Sequence, residues 1–290
     1  LLSILIIMVM IMVITYEERK QQIIQQIVDR RSAEKEFLLV GITGRPKVGK
    51  SGLAMDCRTE EEIKNGMKVK ILDLDDGSTA TWDSAWDRDE NIEVYVPNVW
   101  NNDGSMNWDE TFHNCSTWIK MAEEDIKEGN IKAVILDGVD KIYEGSSDVL
   151  RKSLVKNAAR SGSVIQDSDT VMVKPLDWKV RNNIYDRIIN PFVALRANRF
   201  LITHMKLVYE GIGAPIAVGE TPDWYKTTPH KLLQIINITE QKLGNKTTYK
   251  GKLVASKTNS NMVGKSWPIF VLEESGNEWN GIPELKQGEL

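Results

Sequence analysis

Apolar residues recur along this chain with two spacings. Phe37, Leu38, Leu39, Val40 and Ile42 form a short run interrupted only by Gly41. Such runs predict strands buried on both faces, as in a parallel sheet. Residues 68–73, 92–96, 132–137 and 199–204 repeat the pattern, and two of these runs end in Asp73 and Asp137. A 3.6-residue spacing fills the intervals. From residue 108 to 128, Phe112, Cys115, Ile119, Ala122 and Ile126 share one helical stripe, and Gly129 supplies a stop. A helix is expected from Lys50 to the stop signal Asn65-Gly66, and another over residues 177–195, interrupted near Pro191. Residues 16–35 are polar and charged, with Ile23, Ile24 and Ile27 at helical spacing, so a leading amphipathic helix is expected. Toward the end the pattern changes. Residues 235–243 and 247–256 read as a hairpin about Gly244-Asn245, and residues 267–273 as a last strand. Residues 160–175 and 211–229 read as long loops, a length typical of functional or disordered segments. Strands alternating with helices, then an antiparallel tail, predict an α/β sandwich with a mainly parallel central sheet and a C-terminal antiparallel hairpin.

The 290 residues suit one large domain or two small ones. The expected organisation is an apolar segment at 1–14, the leading helix at 15–36, one domain over 37–275 and a tail at 276–290. Net charge is −4, which argues against a basic protein coating nucleic acid over its whole surface. A local basic groove, or a channel shared by several subunits, stays open. Cys57 and Cys115 are far apart and have no metal-ligand spacing, so free thiols in a reducing cytoplasm are expected rather than zinc. Residues 1–14 are apolar except for Ser3. That is short of the ~20 residues a membrane span needs. It lacks a basic flank and a small-residue cleavage site. Upstream read-through before Met8, Met10 or Met12 is the expectation, with a membrane anchor as the competing reading.

The chemistry concentrates at Gly44, Arg45, Pro46, Lys47, Val48, Gly49, Lys50 and Ser51. These residues match the phosphate-binding pattern G-x-x-x-x-G-K-[ST] at every fixed position. A strand precedes them and a helix follows, as the motif requires. Glycines let backbone N–H groups face phosphate oxygens, and the helix N-terminus adds partial positive charge. Lys50 would reach the β and γ phosphates, and Ser51 would hold Mg²⁺. Residues 263–266 repeat the letters of residues 48–51, but Asn259 replaces the first glycine and Trp267-Pro268 follows. That copy reads as a turn before a late strand.

A phosphate loop needs a carboxylate to organise Mg²⁺. Asp137 is the candidate, because it ends an apolar strand at the sheet edge where α/β proteins bind ligands. Asp140 is the weaker alternative, expected to be solvated or a local cap. Hydrolysis also needs a group to polarise water. Asp73 and Asp75, clustered with Asp76, share a face if the strand alternation continues. The competing reading is a solvated acidic strand end. His204, or Lys206 two residues on, could sense a γ-phosphate, although a lone histidine is more often structural. His113 and His230 have no supporting context.

Residues 44–51, Ile71-Leu72-Asp73-Leu74-Asp75, residues 133–137 and Leu201-Ile202-Thr203-His204 together resemble the RecA-like P-loop ATPases. The likeness leans toward small single-domain versions that bacteriophages encode and that accompany single-strand annealing and recombination. It covers residues 37–258. It implies a RecA-like P-loop NTPase sandwich binding ATP and Mg²⁺. It implies that the second acid of the acid-x-acid strand end, a glutamate in the family, is catalytic. Asp75 stands there, one methylene shorter. It implies a sensor strand between the P-loop strand and the strand of Asp137, which puts His204 beside the γ-phosphate. It implies a late hairpin offering a basic residue to a neighbouring subunit's nucleotide, a place Lys257 would fill. The partners it implies are further copies of the chain, with nucleotide at the subunit interface, single-stranded DNA, and a phage recombination or replication protein. A membrane is not among them, and the expected location is the cytoplasm, that of the host if the chain is phage-encoded.

Three functions compete. The first is an ATPase acting on DNA in phage recombination or replication, with Lys174, Trp224, Tyr225 and Lys226 as loop residues suited to stacking on single-stranded bases. The second is a nucleotide or nucleoside kinase whose lid carries Arg151, Lys152, Lys156 and Arg160. The third is a nucleotide-gated scaffold with little turnover, which the missing glutamate favours.

Overall fold

The computed structural model describes residues 16–32, 37–160, 173–211, 215–243, 246–258, 260–273 and 276–279. The apolar segment 1–14, the Gly244-Asn245 turn, most of the loop expected at 160–175 and most of the tail lie outside the described residues. Two compact units are separated, residues 1–36 and Phe37–Leu290. In the first, α1 (Tyr16–Ser32) is a helix whose Ile23, Ile24, Ile27 and Val28 are exposed. No described helix is long and apolar enough to cross a membrane.

The second unit is built on one sheet. Its strands are β1 (Leu39–Gly44), β2 (Lys68–Asp73), β3 (Ile92–Tyr95), β4 (Ile131–Asp137), β5 (Asn198–Glu210), β6 (Ile216–Pro222), β7 (Gln234–Leu243), β8 (Lys246–Ser256), β9 (Ser266–Glu273) and β10 (Gly276–Trp279). The order across the sheet is β10-β9-β8-β7-β1-β5-β4-β2-β3, with β6 paired to β5 off this path. From β7 to β3 every neighbouring pair is parallel, and from β7 to β10 every pair is antiparallel. This is the mainly parallel α/β sheet with a C-terminal antiparallel hairpin that the apolar pattern predicts.

The helices are α2 (Lys50–Met55), α3 (Glu60–Lys64), α4 (Ser78–Trp86), α5 (Trp108–Glu128), α6 (Val139–Arg160), α7 (Asp177–Ala194) and α8 (Thr228–Lys231). Strand alternation sends neighbouring side chains to opposite faces. Val40, Ile42, Ile71, Ile135 and Phe200 join Leu53, Met55 and Cys57 in one apolar layer. Leu39, Leu72, Leu136 and Leu201 join α5, α6 and α7 in the other. The α5 stripe faces this second layer, with Phe112, Cys115, Ile119 and Ala122 buried. Cys57 and Cys115 are both free and buried.

Local expectations fail in five places. The helix from Lys50 stops at Met55, and a new one starts at Glu60. A capping box causes the restart, with the Thr59 hydroxyl accepting from Glu62 N–H and the Glu62 carboxylate accepting from Thr59 N–H. Between them Arg58 is buried and donates to Asp89 at 2.5 Å. Pro191 does not interrupt α7. It removes one backbone donor, but Ile188, Ile189 and Phe192 around it are buried and hold the helix to the core. The segment 211–229 is not one long loop. It contains β6, which pairs antiparallel with an extension of β5 from Met205 to Glu210, and the short helix α8. The tail contributes β10, which continues the antiparallel half of the sheet. Finally, α4 and α6 fill stretches to which the apolar spacing assigned no helix.

Candidate nucleotide site

Strand order brings the chemistry to one edge. Gly44, the last residue of β1, is in register with His204 on β5. Asp137, the last residue of β4, is in register with Asp73, the last residue of β2. Because β5 lies between β1 and β4, the strand bearing His204 separates the loop from the strand bearing Asp137. That is the placement the resemblance implies.

Residues 44–51 form a loop from β1 into α2. Gly49 caps the helix with φ +86°, a left-handed backbone that suits glycine. Lys50 is 6% exposed and folds back over the loop. Its ammonium donates to the carbonyls of Gly44 at 3.2 Å and Arg45 at 2.9 Å. Burial pulls its pKa below the usual lysine range, against the pull of Asp137, Asp75 and Asp140. Arg45 leaves the loop outward and makes a forked pair with Glu220 on β6, with contacts of 2.8 and 3.2 Å. Pro46 and Val48 line a cavity of about 390 Å³ together with Arg45, Glu220 and residues 237–240 of β7.

Ser51 and Asp137 meet. The serine hydroxyl donates to an Asp137 carboxylate oxygen at 2.5 Å, and the Ser78 hydroxyl donates to the same oxygen at 2.9 Å. Burial pushes the Asp137 pKa up, while these two hydroxyls pull it down. A buried carboxylate beside a hydroxyl is an oxygen set suited to Mg²⁺, which keeps several waters and takes few protein ligands. Among the described residues no group of three or more His, Cys, Asp or Glu side chains forms a protein-only metal cage.

The second cluster lies beside it. His204 Nδ1 is 3.1 Å from Asp140, and its Nε2 is 3.5 Å from Asp75. The Asp140 hydrogen bond raises the His204 pKa above the usual histidine value, against burial. Burial works to raise the pKa of Asp140, but the His204 hydrogen bond and charge bring it below normal. Asp140 is therefore neither solvated nor a simple cap. It sits on the first turn of α6 and orients the histidine.

Asp73 and Asp75 do not share a solvent face. The strand ends at Asp73, and Asp76 turns the chain with φ +56°. The buried Asp73 carboxylate accepts the N–H groups of Asp75 at 3.1 Å and Ser78 at 2.7 Å. Burial, then the charge of Asp137, pushes its pKa up to about 7. Asp75 alone of the two faces His204. Lys206 is not at this site either. It pairs with Asp223 at 2.7 Å and lies over the Tyr143 ring. Lys257, just past β8, donates to the His230 carbonyl of its own chain at 2.8 Å. Trp224 lies in the connection between β6 and α8 as expected, but it is 7% exposed and packs in the core with Leu39 and Leu201, so it is not free to stack on a base. Arg151, Lys152, Lys156 and Arg160 lie on the exposed side of α6, where Lys152 pairs with Asp148.

Sequence reasoning missed Ser78, the Arg45–Glu220 pair and the role of Asp140. A signal existed for Ser78. It follows Asp76-Gly77 directly, where a strand end gives way to a helix start. The other two depend on strand order and had no local signal.

No protein-family model matches the chain, and no curated protein sequence matches it. Among solved structures it is similar to a KaiC-like protein from the hyperthermophilic archaeon Pyrococcus horikoshii OT3. The TM-score is 0.44 at 11% identity, covering 87% of this chain and 94% of that one. At that distance the likeness carries no argument, and the α/β architecture rests on this chain's own strand order.

Proposed function

We propose that the chain binds ATP with Mg²⁺ at residues 44–51 and hydrolyses it. The observation that carries this reading is the Ser51–Asp137 contact, which joins the loop to a carboxylate two strands away. Ser51 and Asp137 would hold Mg²⁺, which supplies charge neutralisation for the transferring phosphoryl group. Lys50 is already desolvated and held over the loop, and its ammonium would exchange the Gly44 and Arg45 carbonyls for the β and γ phosphates. Asp75 orients the attacking water, and His204, fixed by Asp140, senses the γ-phosphate side. The cavity beside Arg45 and β7 has room for part of the nucleoside.

The finer reading is a RecA-like motor or switch acting on DNA in phage recombination or replication. It works as a homo-oligomer in the cytoplasm, with nucleotide at the subunit interface and Lys257 reaching the neighbouring site. Sheet order and the P-loop support the ATPase half. The DNA and oligomer half rests on the sequence resemblance. The scaffold reading draws on one observation, since Asp75 is a short acid already close to His204. Phosphate release with Mg²⁺, with and without single-stranded DNA, separates the readings. Stimulated release supports the motor, ATP-analogue binding without release supports the scaffold, and no binding removes both.

A further inference from the structure

A second cationic site lies away from the phosphate loop. It is a pocket of about 580 Å³ between α6, α7 and the segment from β6 to α8. At its wall Arg181 of α7 is 8% exposed. Its guanidinium lies 4.5 Å from the Tyr143 ring centre and 4.3 Å from that of Trp178. Its hydrogen bonds go to the adjacent Asn182 side chain at 3.2 and 3.4 Å. Among the described residues no carboxylate pairs with it. Lys206 and Lys226 join the lining, and Asp223 beside Lys206 offsets one of these charges. Among the described residues no Asp or Glu lines the pocket.

A buried cation without a counter-ion is costly. The two rings reduce that cost and fix the plane of the guanidinium. Its Nε and one Nη2 proton already donate to Asn182, which leaves the Nη1 side of the guanidinium to donate to a phosphate. Asn182 supports the wall by donating to the Tyr225 hydroxyl at 2.9 Å, and Tyr225 stacks on Tyr143 with ring centres 6.3 Å apart. Trp178 is 44% exposed, so part of its surface remains free for a flat ligand. The volume falls within the roughly 300–1,000 Å³ of small-molecule sites.

We propose that this pocket binds one nucleotide unit. Its phosphate is held by Arg181 with Lys206 and Lys226, and its base lies against Trp178. A free nucleoside monophosphate and a nucleotide within a single strand share this chemistry, and the second source rests on the DNA-acting reading above. The pocket also shares elements with the phosphate-sensing cluster. Tyr143 follows Asp140 by one helical turn on α6, and Lys206 follows His204 by two residues on β5.

The test uses the full chain with the phosphate loop saturated by a non-hydrolysable ATP analogue and Mg²⁺. Fluorescein-labelled oligothymidine is titrated by anisotropy, and thymidine monophosphate competes for it. The wild type binds oligothymidine saturably. Arg181→Gln weakens that binding about tenfold or more, as loss of a charged donor should. Trp178→Leu and Lys226→Gln weaken it by smaller factors, and affinity for the ATP analogue is unchanged in all three. Displacement by thymidine monophosphate supports a free nucleotide as the ligand. Binding that resists it but stays sensitive to Arg181→Gln supports a strand. Wild-type affinity in an Arg181→Gln protein with intact near-UV circular dichroism overturns the proposal. If that variant does not fold, unchanged affinity in both Trp178→Leu and Lys226→Gln overturns it instead. Equal displacement by polyglutamate overturns the base-stacking half. Loss of ATP-analogue binding in the wild type, with oligothymidine still bound through Arg181, removes the ATPase reading and leaves this one standing.

Discussion

The letters Val-Gly-Lys-Ser occur twice, at residues 48–51 and 263–266. Both glycines take the left-handed backbone with φ +86°. From there the copies diverge. Val48 is 5% exposed and Val263 is 43% exposed. Lys50 is buried over two loop carbonyls, whereas Lys265 is exposed and its ammonium lies 3.6 Å from the Met262 sulfur. Ser51 enters a helix and meets Asp137, whereas Ser266 opens β9 beside Lys252. The difference lies in the flanks. Gly52-Leu53-Ala54 can continue a helix packed on the sheet, while Trp267-Pro268 commits the chain to a strand. A four-residue match therefore carries a turn, and its surroundings decide whether that turn opens a helix or a strand.

The comparison can be broken first at the carboxylates that face residues 44–51. Asp75→Asn should lower turnover by roughly 10²- to 10⁴-fold, the range for losing a positioned base, with ATP still bound. Phosphate release and analogue binding measured together check this, and normal turnover would shift the role to another group. Next come the two lysines. Lys50→Ala should weaken binding of a fluorescent ATP analogue by roughly 10- to 100-fold, given about 1.5–3 kcal/mol for a charged hydrogen bond. Lys265→Ala should leave that affinity unchanged and stability within about 0.5 kcal/mol.

The glycines sharpen the contrast by a smaller amount. A Cβ on Gly44 would sit 2.9 Å from the Ile238 carbonyl oxygen and 2.9 Å from Val48 Cγ2. Gly44→Ala should cost roughly 1–3 kcal/mol in urea unfolding, the cost of overpacking a fixed site. Gly264→Ala meets nothing within 4 Å and should cost only the left-handed strain, about 1–2 kcal/mol.

A further expected effect is a pH dependence carried by Asp73, whose buried carboxyl lies in register with Asp137. The Asp73 carboxyl rises from 3.8 to about 7 on folding, so the folded state holds the proton more tightly. Its contribution to stability is fully present below the unfolded pKa and is lost as pH rises through about 7. Without Mg²⁺, unfolding free energy should fall across that window in the wild type and fall less in Asp73→Asn. Denaturant titrations at several pH values check this, and parallel curves for the two proteins would contradict it.

Much of the fold was legible because the signals are local. The strand runs, the α5 stripe with Gly129, the hairpin arms and residues 44–51 each need only a few neighbouring residues. Even the place where the Lys50 helix breaks has a local signal, the capping box of Thr59 and Glu62. The extension of β5 was harder to see. Residues 205–210 leave the core, and Leu207 and Tyr209 are exposed, so no burial pattern marks them. Their pairing with β6 exists only because a distant segment returns.

By itself the sequence determined the phosphate loop, the Asp137 strand end and the α/β alternation, because backbone conformation and apolar periodicity are settled within a few residues. Tertiary structure alone decided which acid faces which base. Asp140 and His204 are 64 positions apart, and Arg45 and Glu220 are 175 apart. Ser51 and Asp137 meet across β5, which lies between β1 and β4. Pairings of this kind follow from strand order, which the whole core fixes by burying both faces of the sheet at once, and no short window of residues contains that information.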